Sequence, residues 1–323
     1  MQSPHTLTRR NLLAGASVVL AGSSCARRIA PARATVSILR QSAYDQTVYD
    51  AVRRLLIAHR VNIRGKRVVL KPNLVEFDSA TTINTHPLLV HAALEAFRSL
   101  DAAEVRIAEG PGHRRITMDL AEAAGYFQTV PSFDGLFTDL NLDEITPVRL
   151  QRPVSKLRTV YFPNTVLGCD LLVSMPKMKT HHWVGATLSM KNLFGLLPGG
   201  VYGWPKNVLH WAGINESIVD LHAQFPNTFA IVDGIEGMEG NGPIQGTPKH
   251  AGVLVAGYNL PAVDATCCRI MGIDPAKIDY LRMSAGTEAL TESSILQAAE
   301  TFRSVRIDFQ LLPDFQSLRL GTV

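Results

Sequence analysis

The stretch RVVLKPNLVEFDSATTINTHPLLVHAALEAFRSLDAAEVRIAEG, residues 67–110, decides the fold class. Residues 67–70 form a short β-branched run that stops at Lys71-Pro72-Asn73, since proline cannot donate to a strand ladder. Residues 87–100 then place apolar side chains at helical spacing. Residues 104–108 return to a strand and stop at Glu109-Gly110, just before Pro111. Strand, helix and strand in this order are the unit of an α/β fold.

The same alternation continues outward in both directions. Residues 36–39 read as a strand and 45–59 as a helix with Val48, Val52, Leu55 and Leu56 on one face. Further strands are expected at 170–175, 229–232 and 252–256, with helices near 215–224 and 262–271. The expected fold is a mostly parallel sheet, or sheets, flanked by helices, in one body or two lobes. Functional loops in such folds follow the carboxyl ends of the strands. Four unusual loops fall there, at 71–82, 109–117, 175–210 and 233–250. Residues 131–168 hold more proline and two short β-like runs, and read as an inserted or bridging segment.

Residues 1–34 read as a twin-arginine export leader. Thr8-Arg9-Arg10-Asn11-Leu12-Leu13 precedes a weakly apolar stretch too short for a spanning helix of about 20 residues. Ala32-Arg33-Ala34 matches an A-x-A cleavage site, leaving a domain of residues 35–323. The expected partner is the twin-arginine translocase, and the expected place is the periplasm or beyond, with no stable membrane span in the mature form. Lipoprotein anchoring through Cys25 is a weaker alternative, because Gly22-Ser23-Ser24 is a poor lipobox. The five arginines of the leader take the formal charge from +4 to −1, so the basic pI argues for no nucleic-acid partner.

After the leader only Cys169, Cys267 and Cys268 remain, with no C-x-x-C pair, so no iron–sulfur cluster is expected. Buried thiols are the expected state of the adjacent pair. The stretch richest in chemistry is MPKMKTHHWVGATLSMKNLFGLLPGG, residues 175–200. It places Lys177, Lys179, His181, His182 and Lys191 among Met175, Met178, Trp183, Met190 and Phe194. Cations framed by apolar groups suggest a pocket in which their pKa values move. In residues 109–115, Gly112 lets the backbone approach a ligand, Arg114 and Arg115 suit an anion, and His113 can transfer protons. In residues 233–243, Asp233, Glu236 and Glu239 stand among glycines and could hold a hard cation. Trp183, Trp204 and Trp211 read as cavity wall or core.

The order KPN (71–73), PKMKTH (176–181), MKNLFG (190–195), DGIEGMEGNGP (233–243) and VDAT (263–266) resembles the domain of unknown function 362 family. More distantly, Gly112-His113-Arg114 with Thr117, then His181-His182-Trp183-Val184-Gly185 followed by Lys191 and Leu197-Pro198-Gly199, is similar to the nickel-pincer lactate racemases. That resemblance implies His113 and His181 as catalytic acid–base residues and Lys191 as the covalent tether of a nickel-pincer nucleotide. It also implies His210 as a nickel ligand.

Three function classes follow. The first is an enzyme, of isomerase or oxidoreductase type, that depends on a cofactor or metal and acts on a small anionic substrate. Its residues would be His113, His181, Lys191 and His210, with Gly112 and Arg114 beside the ligand. The second is a hydrolase or transferase using a divalent metal on Asp233, Glu236 and Glu239, with Lys177 and Lys179 gripping phosphate. The third is a non-catalytic protein that captures a small anion or cofactor.

Overall fold

The computed structural model describes residues 33–321. The expected leader therefore falls outside the described residues except for its last two, and Cys25 lies outside them too.

The strands are β1 (Ala34–Arg40), β2 (Arg67–Pro72), β3 (Glu104–Glu109), β4 (Phe137–Asp139), β5 (Ile145–Arg149) and β6 (Thr159–Pro163). They continue as β7 (Leu171–Met175), β8 (Lys177–His181), β9 (Gly185–Thr187), β10 (Phe229–Glu239), β11 (Thr247–Gly257) and β12 (Ile295–Ala299). The long helices that cover the sheet are α1 (Thr47–Ala58), α2 (Pro87–Ser99), α3 (Ile214–Gln224) and α4 (Leu260–Ile270). Ten strands form one sheet with the order β12-β1-β11-β10-β7-β2-β3-β4, and β8 and β9 extend it beside β10. From β10 to β4 every pairing is parallel, and β11 is the antiparallel strand that joins β10 to β1. β5 and β6 pair with each other in a separate two-stranded ribbon within residues 131–168.

Side-chain alternation explains why both faces of the sheet are covered. Val68 and Leu70 of β2 and Ile231 of β10 point to the face packed by α1 and α2, among Val52, Leu55, Leu89 and Phe97. Val69, Ala230 and Val232 point to the other face, among Ile218 and Leu221 of α3 and Val263 and Cys267 of α4. Cys267 and Cys268 are both buried free thiols. Among the described residues no helix is long and apolar enough to cross a membrane.

One expected loop is mostly strand. Residues 229–239 run unbroken as β10 and turn into β11, so the loop at 233–250 shrinks to the hairpin turn between them. The glycines here serve close packing. A Cβ on Gly234 would lie 2.8 Å from Met178 Cε, and one on Gly237 would lie 2.7 Å from the Met178 carbonyl oxygen. Strand β8 therefore lies against β10 only because those two positions lack side chains.

Candidate functional site

Because β2, β3, β7 and β10 run the same way, their carboxyl ends open on one edge of the sheet. The four segments that leave this edge enclose a cavity of about 520 Å3. Its wall includes Asn73 and Glu76 from the first, Gly112 and His113 from the second, and Asn241 and Pro243 from the hairpin. The third segment supplies Lys179, His181, His182, Thr187, Lys191, Lys206 and His210. His113 of the second segment and His181, Lys191 and His210 of the third thus line one cavity.

Buried lysines stitch these segments together. Lys71, at the end of β2, pairs with Glu109 at the end of β3, and both side chains are sealed from solvent. Lys71 Nζ also donates to the Pro72 carbonyl at 3.1 Å and to Asn192 Oδ1 at 3.3 Å. Burial pushes the Lys71 ammonium down and the Glu109 carboxyl up, and their mutual attraction opposes both shifts. Gly195 passes directly over this pair, where any Cβ would overlap Glu109 and Lys71. Lys179 Nζ donates to the carbonyls of Ile83 (3.0 Å) and Pro243 (3.1 Å), joining the first segment to the hairpin. Lys206 Nζ donates to the carbonyls of Gly110 (2.6 Å) and Phe194 (2.9 Å), joining the second segment to the third. Burial lowers Lys179 well below the usual lysine range and lowers Lys206 to about 7.

Lys191 differs from these three. Its Nζ sits 3.8 Å from the centre of the Phe194 ring and, among the described residues, meets no hydrogen-bond acceptor or carboxylate. Burial, then the neighbouring Lys71 charge, lowers its pKa to about 7, so near neutrality half of it is a free amine. The short helical turn Ser189–Asn192 carries it. Buried Asp264 of α4 anchors that turn, accepting from the Ser189 amide at 2.8 Å, the Met190 amide at 3.0 Å and the Ser189 hydroxyl. Burial raises Asp264 to about 7 despite these bonds.

The histidines are held in defined tautomers. Burial, then the Lys191 charge, keeps His181 well below its ordinary pKa, so the ring is neutral. Its Nδ1 accepts from the Trp183 amide at 3.0 Å, which leaves the proton on Nε2. His182 Nδ1 lies 2.7 Å from the Gly242 carbonyl and donates to it, leaving an Nε2 lone pair when the ring is neutral. The two rings are 5.1 Å apart, so one can present a proton donor and the other an acceptor. His210 is lowered to about 4, mainly by burial, and its buried Nδ1 has no partner. Asn73 Oδ1 and Thr187 Oγ1 are likewise buried and unpartnered on the same wall. Buried polar atoms are rarely left so unless something else satisfies them.

Several expected site residues lie elsewhere. Lys177 and Asp233 form a sealed ion pair at 2.7 Å, completed by the Tyr44 hydroxyl, which donates to Asp233 Oδ1 at 2.7 Å. The His86 amide, at the start of α2, donates to Asp233 Oδ2 at 2.9 Å. Lys177 is therefore bound within the fold and not turned to an anion, and Asp233 has no oxygen left for a cation. Glu236 pairs with His250 at 2.8 Å, and Glu239 pairs with Lys249 at 3.3 Å and accepts from the Gln310 amide. The three carboxylates do not converge, and among the described residues no group of three His, Cys, Asp or Glu side chains is placed to hold a metal. Arg114 is exposed outside the cavity wall. Arg115 reaches the wall instead, paired with Glu76 at 2.7 Å. Sequence reading missed Lys206, Asn73 and Thr187. For Lys206 the one signal was a lysine inside the Trp204-Pro205-Lys206-Asn207 turn, where Lys206 takes a left-handed φ of 65°.

Residues 68–269 match the family described as Domain of unknown function (DUF362), and the chain belongs to it. It is 26% identical over 258 residues to a thylakoid-associated protein of Synechocystis sp., covering 76% of each chain. Among solved structures it is similar to the lactate racemase apoprotein from Thermoanaerobacterium thermosaccharolyticum, with 13% identity and a TM-score of 0.43. That match covers 75% of this chain and 57% of the racemase chain. A protein from Thermotoga maritima matches with 12% identity and a TM-score of 0.36, over 68% of this chain and 57% of the other. The chain thus spans a little over half the length of these two structures.

Proposed function

We propose that this member of the domain of unknown function 362 family is a cofactor-dependent enzyme of small anionic compounds, with its chemistry at Lys191. The observation that carries the reading is the Lys191 amine. Half-buried, it stands without an acceptor among the described residues, in a cavity shared with four histidines, while the buried lysines described above are satisfied. An unpaired, desolvated amine with a pKa near neutrality is an activated nucleophile or tether. His113 and His181 reach the same space from different segments, which suits proton exchange at two sides of a bound molecule. Isomerase or oxidoreductase chemistry needs that arrangement.

A nickel-pincer nucleotide is one group these residues fit. Lys191 would hold it, and the buried, unpartnered Nδ1 of His210 would be the protein's donor to the metal. Such a group supplies a hydride acceptor when bound. His181 would then present its Nε2 proton to a substrate oxygen, and the His182 Nε2 lone pair would take a hydroxyl proton. Lys179 and Lys206 would keep the segments closed around the substrate.

The test is the protein purified from its own host. Intact mass, peptide mapping and metal analysis decide how Lys191 is used: an added group on its peptide makes it the tether, and an unmodified peptide leaves it free as the nucleophile. Small hydroxy acids should raise the unfolding temperature. His113→Ala and His181→Ala should abolish turnover while keeping that stabilisation. An unmodified mass together with no stabilisation by any small anion would sink the reading. We also propose export by the twin-arginine route. Amino-terminal sequencing of the periplasmic form should start near Thr35, and Arg9→Lys with Arg10→Lys should hold the protein in the cytoplasm.

A further inference from the structure

We propose that Lys191 binds its ligand covalently as an imine, and that the ligand is a small 2-oxo acid. The inference rests on the reading of Lys191 as the reactive amine and not as a tether, and it names the bond and the chemical class; a group already carried on Lys191 in protein from its own host would overturn it.

The geometry singles out one amine. Lys71, Lys179 and Lys206 each spend their protons on protein oxygens, whereas Lys191 lies over the face of Phe194 with its nitrogen toward the cavity. Its neighbours are cations without free carboxylates. The two acids in the wall, Glu76 and Glu109, are already paired with Arg115 and Lys71. A lysine beside other cations in a desolvated pocket is the arrangement that frees the lone pair. The lowered Lys191 pKa of about 7 agrees with this.

The same surroundings select an anion. Nothing unpaired and negative lines the cavity, and the unpartnered Thr187 hydroxyl on its wall can donate to a carboxylate. Thr187 and Asn73 are nine-tenths buried or more, so these polar atoms are held ready within the wall. A carboxylate next to the carbonyl puts its charge within a bond or two of Lys191 Nζ.

The step balances without a redox partner. The Nζ lone pair adds to the carbonyl carbon, the carbonyl π pair moves to oxygen, and a proton passes from nitrogen to that oxygen. The resulting hydroxyl takes a second proton and leaves as water, and nitrogen loses its last proton to give C=N. His181 Nε2–H can give the proton, and the His182 Nε2 lone pair can take one.

The experiment incubates the full chain at pH 7.5 with glyoxylate or pyruvate and cyanoborohydride, which reduces an imine to a stable amine. Peptide mapping should find one adduct, on Lys191, with the mass of the oxo acid less one oxygen. Lys191→Arg, which keeps the charge, should lose the adduct with its unfolding temperature preserved. Propanal, an aldehyde like glyoxylate but without its charge, should label Lys191 roughly tenfold more slowly than glyoxylate, because it lacks the carboxylate that the Thr187 hydroxyl would hold. Labelling scattered over surface lysines, persisting in Lys191→Arg, or equally fast with propanal would overturn the proposal. If hydroxy acids and oxo acids raise the unfolding temperature yet no adduct forms, the imine is wrong and the enzyme reading stands. If neither occurs, both fall.

Discussion

Glu109→Gln tests the account of the cavity floor most directly. Glu109 and Lys71 are sealed from solvent, and the carboxylate also accepts from the Gly110 amide at 3.1 Å. Glutamine has nearly the same shape, so the substitution removes a charge without opening a cavity. It offers one oxygen where two were used, so either Lys71 or the Gly110 amide loses its acceptor. Breaking one side of a buried pair costs about 3–5 kcal/mol, because the remaining charge stays buried and uncompensated. The wild-type Lys71 pKa is already lowered by burial and held up by Glu109, so the variant lowers it further. A lysine whose folded pKa lies below its unfolded value loses stability as the pH falls from the unfolded pKa toward the folded one. The deficit should therefore be largest at pH 7 and shrink by pH 9, where Lys71 can stand neutral. Urea unfolding followed by tryptophan fluorescence at both pH values measures it. A deficit below about 1 kcal/mol, or one that does not change with pH, would mean that water reaches the pair and that the floor is not dry.

The remaining predictions concern the amine and its support. Modification of Lys191 by a small acylating reagent should rise with pH around a midpoint of about 7, against roughly 10.4 for exposed lysines; a midpoint near 10 would refute its desolvation. Asp264 accepts three hydrogen bonds at the turn that carries Lys191, so Asp264→Asn, which can accept fewer, should cost about 1–3 kcal/mol. It should also slow Lys191 labelling at fixed pH, which a purely structural loss elsewhere would not do. Gly195→Ala drives a Cβ into the Glu109–Lys71 pair and should cost about 1–3 kcal/mol in a urea melt; an unchanged midpoint would show that the 193–196 turn can move away.

The sheet was legible because its signal is local. The runs at 67–70 and 104–108 with a helix between them dictate a parallel unit, and β2 and β3 pair in that way. The four segments at the carboxyl edge followed from chain direction alone, so His113, His181, Lys191 and His210 could be expected together. What the sequence hid is pairwise. Gly234 and Gly237 look like turn glycines, and only the approach of Met178 from β8 makes them strand residues. Asp233 looks like a cation ligand beside Glu236 and Glu239. It is instead consumed by Lys177, Tyr44 and the His86 amide, from three other parts of the chain. Lys206 carries no motif at all, since its function as a stitch comes from two backbone carbonyls. Residue type cannot announce a partner that is backbone.

Those carbonyl partners have a consequence for binding. Lysines usually satisfy a buried ammonium with a carboxylate, which cancels the charge. Lys179 and Lys206 use neutral carbonyls and Lys191 uses none, so burial pushes all three downward, Lys191 and Lys206 to about 7. Above that pH the empty cavity holds amines that are largely neutral. An entering anion supplies the missing negative charge, raises their pKa values and draws protons from solution. Binding should therefore take up protons near pH 8 and little or none below about pH 6, where Lys191 and Lys206 are already charged. Titration calorimetry of an oxo or hydroxy acid in two buffers of different ionisation enthalpy reads the proton count directly. Lys206→Met should reduce the uptake at pH 8 and should also loosen the 109–117 segment, because the bond to the Gly110 carbonyl is lost with the charge. An uptake of zero at pH 8 would mean that the lysines are charged in the empty cavity. The buried carbonyl stitches would then hold full ammonium ions, and the desolvation on which the reactive amine depends would be wrong.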